Sequence, residues 1–156
     1  EGTTLSVGRG TDHPFEQVGA PGLDTAAVLA ALRSADLPGV RFTGVAFTPR
    51  RPGDGKFADT QVAGIRLQVT DRRHYDPVRT AVVLLGAASD AGLPGGLFPP
   101  DPAHFDRLVG DGGHAREQVE VMTRGGGDVR AGLLADWAAQ LPPFLARRRP
   151  YLIYPE

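Results

Sequence analysis

The chain has 156 residues, a formal net charge of −1 and an apolar share of 41%, which suits one domain of about 100–200 residues with a core of its own. Charges of both signs are scattered, so the basic stripe that nucleic-acid binding needs is missing, and no apolar run reaches the ~18–20 residues of a membrane span. The absence of cysteine excludes a disulfide framework and thiolate metal sites.

Thr3 to Val7, with Leu5 and Val7 alternating with polar residues, predicts a short strand. A polar loop follows, from Gly8-Arg9-Gly10-Thr11 through His13-Pro14-Phe15 to Gly22. Asp24 is a good N-cap for a helix over 25–35, with Val28, Leu32 and Ala35 on one face. Val40 to Thr48 reads as a strand whose inward face changes between Phe42 and Val45, which predicts a bulge near Gly44. Ala63, Ile65, Leu67 and Val69 alternate with Gly64, Arg66, Gln68 and Thr70, the clearest period-2 pattern in the chain. This strand and the previous one are expected to be antiparallel neighbours.

Asp76-Pro77 joins an acceptor side chain to a proline at the first helical position, and Val78, Val82 and Leu85 repeat at helical spacing up to Gly92. Leu93 to Pro102 is a Pro/Gly loop, and two short helices fit 103–109 and 114–123. Gly125-Gly126-Gly127 leads to Asp128, a candidate cap for a last helix with Leu133, Leu134, Trp137, Leu141, Phe144 and Leu145 on its apolar side. Pro142-Pro143 should kink or interrupt that helix, because each proline removes a donor and crowds the preceding turn. Tyr151 to Tyr154 is expected to be a strand closing a sheet edge. The element order predicts an α+β single domain, a small mixed or antiparallel sheet packed by several helices.

Candidate chemistry concentrates at the front. Glycines on both sides of Arg9 let backbone approach a ligand, Arg9 can fork onto a carboxylate, and the hydroxyls of Ser6 and Thr11 suit sugar hydroxyls or an amide. The same residues also fit a plain tight turn with a solvated arginine. Gly8-Arg9-Gly10 lacks the spacing and the Lys-Ser/Thr ending of a phosphate loop. His13, His74, His104 and His114 have no metal-ligand spacing and read as surface residues, there is no Gly-x-Ser-x-Gly elbow, and neither a metal nor an organic cofactor is indicated. Among the carboxylates, Glu1 and Glu16 flank the arginine loop, but a glycosidase pair is defined by separation in space.

The run Glu1-Gly2-Thr3-x-x-Ser6-x-Gly8-Arg9-Gly10-Thr11-x-x-Pro14-Phe15-Glu16, with Gly19-Ala20-Pro21 after it, resembles the opening of the C-terminal domain of the exo-β-N-acetylmuramidases. That family was long catalogued as a domain of unknown function. Weaker matches keep the family's order: Val40-Arg41-Phe42, Phe47-Thr48-Pro49, Lys56-Phe57, Val69-Thr70-Asp71-Arg72, Phe105-Asp106-x-Leu108, Trp137 and Tyr151-Leu152-Ile153-Tyr154-Pro155. The chain departs from the pattern at Thr4 (usually Asn), Gly22 (usually a bulky aromatic), Val62 (near a common Cys) and Pro142-Pro143.

The resemblance implies removal of N-acetylmuramic acid from non-reducing ends of peptidoglycan fragments. It also implies a cleft between this domain, over 1–156, and the protein's own larger, Rossmann-like N-terminal domain, which holds the main catalytic carboxylate. Glu1, Ser6, Arg9, Gly10, Thr11, Glu16 and Lys56 are then the candidate substrate-binding residues. Arg9 is a chemically apt partner for the lactyl carboxylate of muramic acid. Lys56 is included because it is the single lysine beside sixteen arginines and falls where the family tends to carry Lys. By the same resemblance the domain is inactive alone and works outside the cytoplasm. A non-catalytic module that binds or scaffolds cell-wall glycan is the alternative from another class.

Overall fold

The alternation at 62–69 organises the molecule. In the computed structural model, which describes residues 2–98, 103–109, 117, 121 and 126–154, this segment is the central strand β3 (Val62–Val69). It lies between β1 (Gln17–Ala20) and β2 (Val40–Phe47) in an antiparallel sheet of order β1-β3-β2. Ile65, Leu67, Val18 and Phe42 lie on one face and join the main core beneath the helices. Gly64, Arg66, Gln17 and Thr43 lie on the other, as the register requires: Gln17 and Thr43 both sit opposite Arg66, and Gly19 and Val45 both sit opposite Gly64.

The predicted bulge at Gly44 is absent. Pairing runs unbroken from Val40–Val69 to Phe47–Val62, because Phe42 and Phe47 occupy opposite faces and each is covered. Phe42 joins the core cluster, while the Phe47 ring lies over the bare Cα of Gly64. The strand expected at Thr3 to Val7 reduces to one bridge between Ser6 and Gly19, since Gly8 takes φ +75 and turns the chain away. In exchange, part of the predicted polar loop is β1. Its Gly19 meets β3 so closely that a Cβ would strike the Ala63 carbonyl and the Gly64 Cα.

Helix α1 (Thr25–Ser34) starts as expected, with the Asp24 carboxylate accepting from the Ala27 N–H at 2.9 Å, and buries Val28 and Leu32. Helix α2 (Pro77–Asp90) is capped in the same way by Asp76, which accepts from the Arg79 N–H. Its inward residues differ from the expected row. Val78 is exposed, Leu84, Ala87 and Ala88 enter the main core, and Val82 packs with Phe105 and Leu133 in a second cluster. The helix is therefore covered on two sides, which a single stripe of apolar spacing does not reveal.

Helix α3 (Ala103–Val109) occupies the first predicted short helix, whereas the second, over 114–123, lies outside the described residues except Glu117 and Val121. Helix α4 (Gly127–Arg148) begins at Gly126 without a side-chain cap, and Asp128 sits in its first turn, where its charge suits the helix dipole. It runs on through Pro142 and Pro143 without interruption. The carbonyls that lose donors belong to Ala138 and Ala139, both exposed, so solvent can serve them. Arg130 anchors α4 to α2 by a two-pronged pair with Asp90 (2.6 and 2.7 Å) and lies across Gly86, where any side chain would collide with it.

Among the described residues helix α4 touches α2 and no strand, so the chain end is carried away from the sheet. The expected terminal strand is instead a 3-10 turn over Arg149–Tyr151, followed by Ile153 and Tyr154 at 89% and 81% exposure. Among the described residues no helix is long and apolar enough to cross a membrane.

Candidate functional site

The front segment, 2–16, wraps the edge of the sheet and is held by its own polar side chains. The Thr4 hydroxyl donates to the Gly96 carbonyl at 2.7 Å, and its N–H donates to the Leu97 carbonyl at 2.8 Å. The single lysine, Lys56, reaches across from the β2–β3 connection. Its Nζ donates to the carbonyls of Thr3 (2.7 Å) and Leu5 (3.1 Å). A charged donor on two backbone carbonyls is a strong tether, and it sets the height of the segment that carries Arg9.

Ser6 is buried, and its Oγ accepts from the Gly8 N–H at 3.2 Å, so its hydroxyl shapes the turn from below. Thr11 is a hub. Its Oγ1 donates to the Gly8 carbonyl at 2.6 Å and accepts from the His13 N–H and from Gln17 Nε2 at 3.0 Å. Gly10 takes φ +76 and docks on the Arg50 backbone, whose N–H donates to the Gly10 carbonyl at 2.8 Å; a Cβ there would drive into that backbone. The glycine thus serves chain-to-chain approach. Glu1 lies outside the described residues.

Arg9 leaves the turn and stacks its guanidinium on the Phe15 ring, 4.9 Å from the centroid, a cation–π contact that aims the fork. Phe15 is 62% exposed and held at φ 65. A bulky residue rarely adopts that conformation without surrounding support. Here its N–H donates to the Val7 carbonyl at 2.7 Å.

Among the described residues, three depressions border this loop, and the sequence-predicted residues are divided among them. Arg9 and Lys56 line one of about 420 Å³ with Asp54 and His104. Gly10 and Thr11 line another, of about 400 Å³, with His13, Phe47 and Arg66. Glu16 lines the largest, about 650 Å³, with Phe15, Arg41, Arg66, Arg72 and Tyr75.

Sequence reasoning missed Arg66 and the role of His13. Arg66 Nη2 lies 2.8 Å from His13 Nδ1 and 3.3 Å from Glu16 Oε2. The guanidinium can donate to Nδ1 only when that nitrogen carries no proton, and the Glu16 Oε2 lies 3.4 Å from the same nitrogen. The alternation of β3 already placed Arg66 on the polar face; its partners, fifty and fifty-three residues away, could not be read from spacing. Of the other histidines, His74 is exposed beside Asp71 and His104 is exposed at the Arg9 depression. His114 lies outside the described residues. Among the described residues no cluster of three His, Asp or Glu side chains could hold a metal.

The same stretch of chain that builds this site, 1–154, matches the family described as exo-β-N-acetylmuramidase NamZ, C-terminal. The chain belongs to that family. It is 33% identical, over 159 aligned positions, to the peptidoglycan β-N-acetylmuramidase NamZ of Bacillus subtilis (strain 168), covering 99% of this chain and 35% of that protein. Its fold matches the crystal structure of a DUF1343 family protein from Bacteroides fragilis NCTC 9343 with a TM-score of 0.76 at 16% identity, covering 97% of this chain and 38% of the other. The chain therefore spans little more than a third of either relative.

Proposed function

We propose that the chain is the C-terminal part of an exo-β-N-acetylmuramidase of the cell envelope. There it forms one wall of a cleft that releases N-acetylmuramic acid from non-reducing ends of peptidoglycan fragments. The observation that carries this reading is the family match over 1–154, which begins in the segment that presents Arg9. Glycoside hydrolysis calls for two carboxyl groups flanking the scissile bond. Glu16 is turned to Arg66, and the resemblance to the family assigns the main acid to the protein's own N-terminal domain, outside this chain.

On this wall, Arg9 and Lys56 bring two cations to one small depression. What distinguishes muramic acid from other amino sugars is its lactyl carboxylate, and an aimed guanidinium recognises a carboxylate through two parallel hydrogen bonds. Arg9 is the residue for that contact, with Ser6, Gly10, Thr11 and Lys56 holding the loop in place.

The test is sugar release from a chromogenic muramic acid glycoside by the full-length protein. Full-length protein should release the sugar and the 1–156 domain alone should not. Arg9→Ala should raise KM for the muramic substrate about tenfold or more, as expected for losing a charged hydrogen bond, and leave KM for a glucosamine analogue unchanged. Equal effects on the two substrates would overturn the Arg9 assignment. Glycan binding without release by the full-length protein would replace the enzyme reading with that of a binding module.

A further inference from the structure

We propose that the groove at the open end of β3 is a second anion subsite, which takes a carboxylate of the cell-wall polymer beyond the sugar being released. This identification of the ligand rests on the function proposed above. The site itself is built where β1 stops. Gln17, the first residue of β1, pairs with Arg66, and the Glu16 carbonyl before it accepts from the Leu67 N–H at 2.7 Å, so residues 68 and 69 of β3 have no strand beside them on that side. The resulting groove, about 650 Å³, is lined by Phe15, Arg41, Thr43, Gln68, Arg72 and Tyr75 among others.

Its charge is arranged for a ligand. Arg66 is already committed to His13 and Glu16. The side chains of Arg41 and Arg72 make no ion pair or hydrogen bond with other described residues, and both are exposed. Two uncommitted guanidinium groups facing one concavity concentrate positive potential there, and each offers the planar fork that suits a carboxylate. Thr43 and Gln68 add a hydroxyl and an amide for sugar or peptide groups.

Both supports are rigid. Arg41 belongs to β2, paired opposite Gln68. Arg72 sits on a turn pinned at both ends. The Thr70 N–H donates to the Gly39 carbonyl at 2.8 Å, and the Tyr75 N–H donates to the Asp71 carbonyl at 3.1 Å. Asp71 closes the turn by accepting from the Arg73 N–H at 2.9 Å and pairing with His74 at 2.8 Å. Such preorganisation lowers the ordering cost of binding. Phe15 links the two sites: its ring supports Arg9 and also lines this groove.

In the polymer, the carboxylate can come from two sources, the lactyl group of the next muramic acid or the peptide attached to such a group. The experiment compares full-length wild type, R41A/R72A and the control R33A, which removes an exposed arginine from α1 on the other side of the sheet. Each is measured on the chromogenic muramic glycoside and on a glycan tetrasaccharide with two muramic acids, with and without peptide. Binding of both tetrasaccharides is followed by calorimetry, which needs no turnover.

R41A/R72A should weaken tetrasaccharide binding, and raise its KM, about tenfold or more, leave the chromogenic glycoside unchanged, and differ from R33A. Loss on the peptide-free tetrasaccharide assigns the groove to the next lactyl carboxylate; loss on the peptide-bearing one alone assigns it to the peptide. Wild-type affinity of R41A/R72A for both tetrasaccharides overturns the subsite. So does an equal loss in R33A, or a wild-type protein that binds neither. If the wild type binds but releases no sugar, the enzymatic reading fails and the calorimetric comparison still judges the groove.

Discussion

The two faces of the three-stranded sheet are made by the same strands and serve opposite ends. Toward the helices, Ile65, Leu67, Val18 and Phe42 join Val28, Leu32, Leu84, Ala87 and Ala88 in the main core. Away from them, Gln17, Thr43, Arg66 and Gln68 alternate out, and the front loop and Tyr75 turn build two depressions around them. Because side chains alternate strictly along a strand, a single pattern supplies both an apolar floor and a polar ceiling. Rigidity is inherited from the floor, and recognition is placed on the ceiling.

That division is broken most severely at Ile65, which is fully buried at the middle of the floor. Ile65→Ala should lower unfolding stability by about 2–5 kcal/mol, the usual range for a buried isoleucine truncated in a core, as read from urea denaturation. A loss below about 1 kcal/mol would mean that the helices do not rest on the sheet as described.

Lys56 sharpens the comparison, since it belongs to neither face and acts on the backbone of the front segment. Lys56→Met keeps the stem and removes the ammonium from the Thr3 and Leu5 carbonyls. The expected cost is about 1–3 kcal/mol, with faster hydrogen exchange confined to the front segment. Unchanged exchange there would show that the tether is dispensable.

The smallest effect is expected at the turn that carries Arg72. The His74 side chain, then the Arg73 N–H, hold the Asp71 carboxyl below the usual carboxylate range. A group with a depressed folded value stabilises the protein above its unfolded value, at about pH 4. That contribution is lost as pH falls through the lower folded value. Asp71 is exposed, so Asp71→Asn should only slightly flatten the acid limb of the stability profile and leave stability at neutral pH nearly unchanged. A steeper acid limb in the variant would reverse the sign of this argument.

Local chemistry was legible wherever one residue and its immediate neighbours decide. Asp24 and Asp76-Pro77 start their helices through side-chain acceptance three residues ahead, and β3 shows its two faces by alternation. What could not be read depends on partners distant in sequence. β1 is four residues with few β-formers, and it is a strand because Gly19 and Gly64 let two backbones meet. Tyr151 to Tyr154 has strand composition, but α4 leads it away from any edge to pair with. The candidate residues show the same limit: Arg9 and Lys56 converge, whereas Glu16 belongs with Arg66 and His13 at a different depression.

The amino-acid sequence alone determined the starts of α1 and α2, the central strand, the α+β class and the polar arginine loop, since each follows from backbone preference or alternation over a few residues. Only the tertiary structure decided that Lys56 anchors that loop through backbone carbonyls. It alone revealed that Arg41, Arg66 and Arg72 share a groove. Those arrangements depend on loop closure and strand register. They bring together groups whose separation along the chain carries no information about their distance in space.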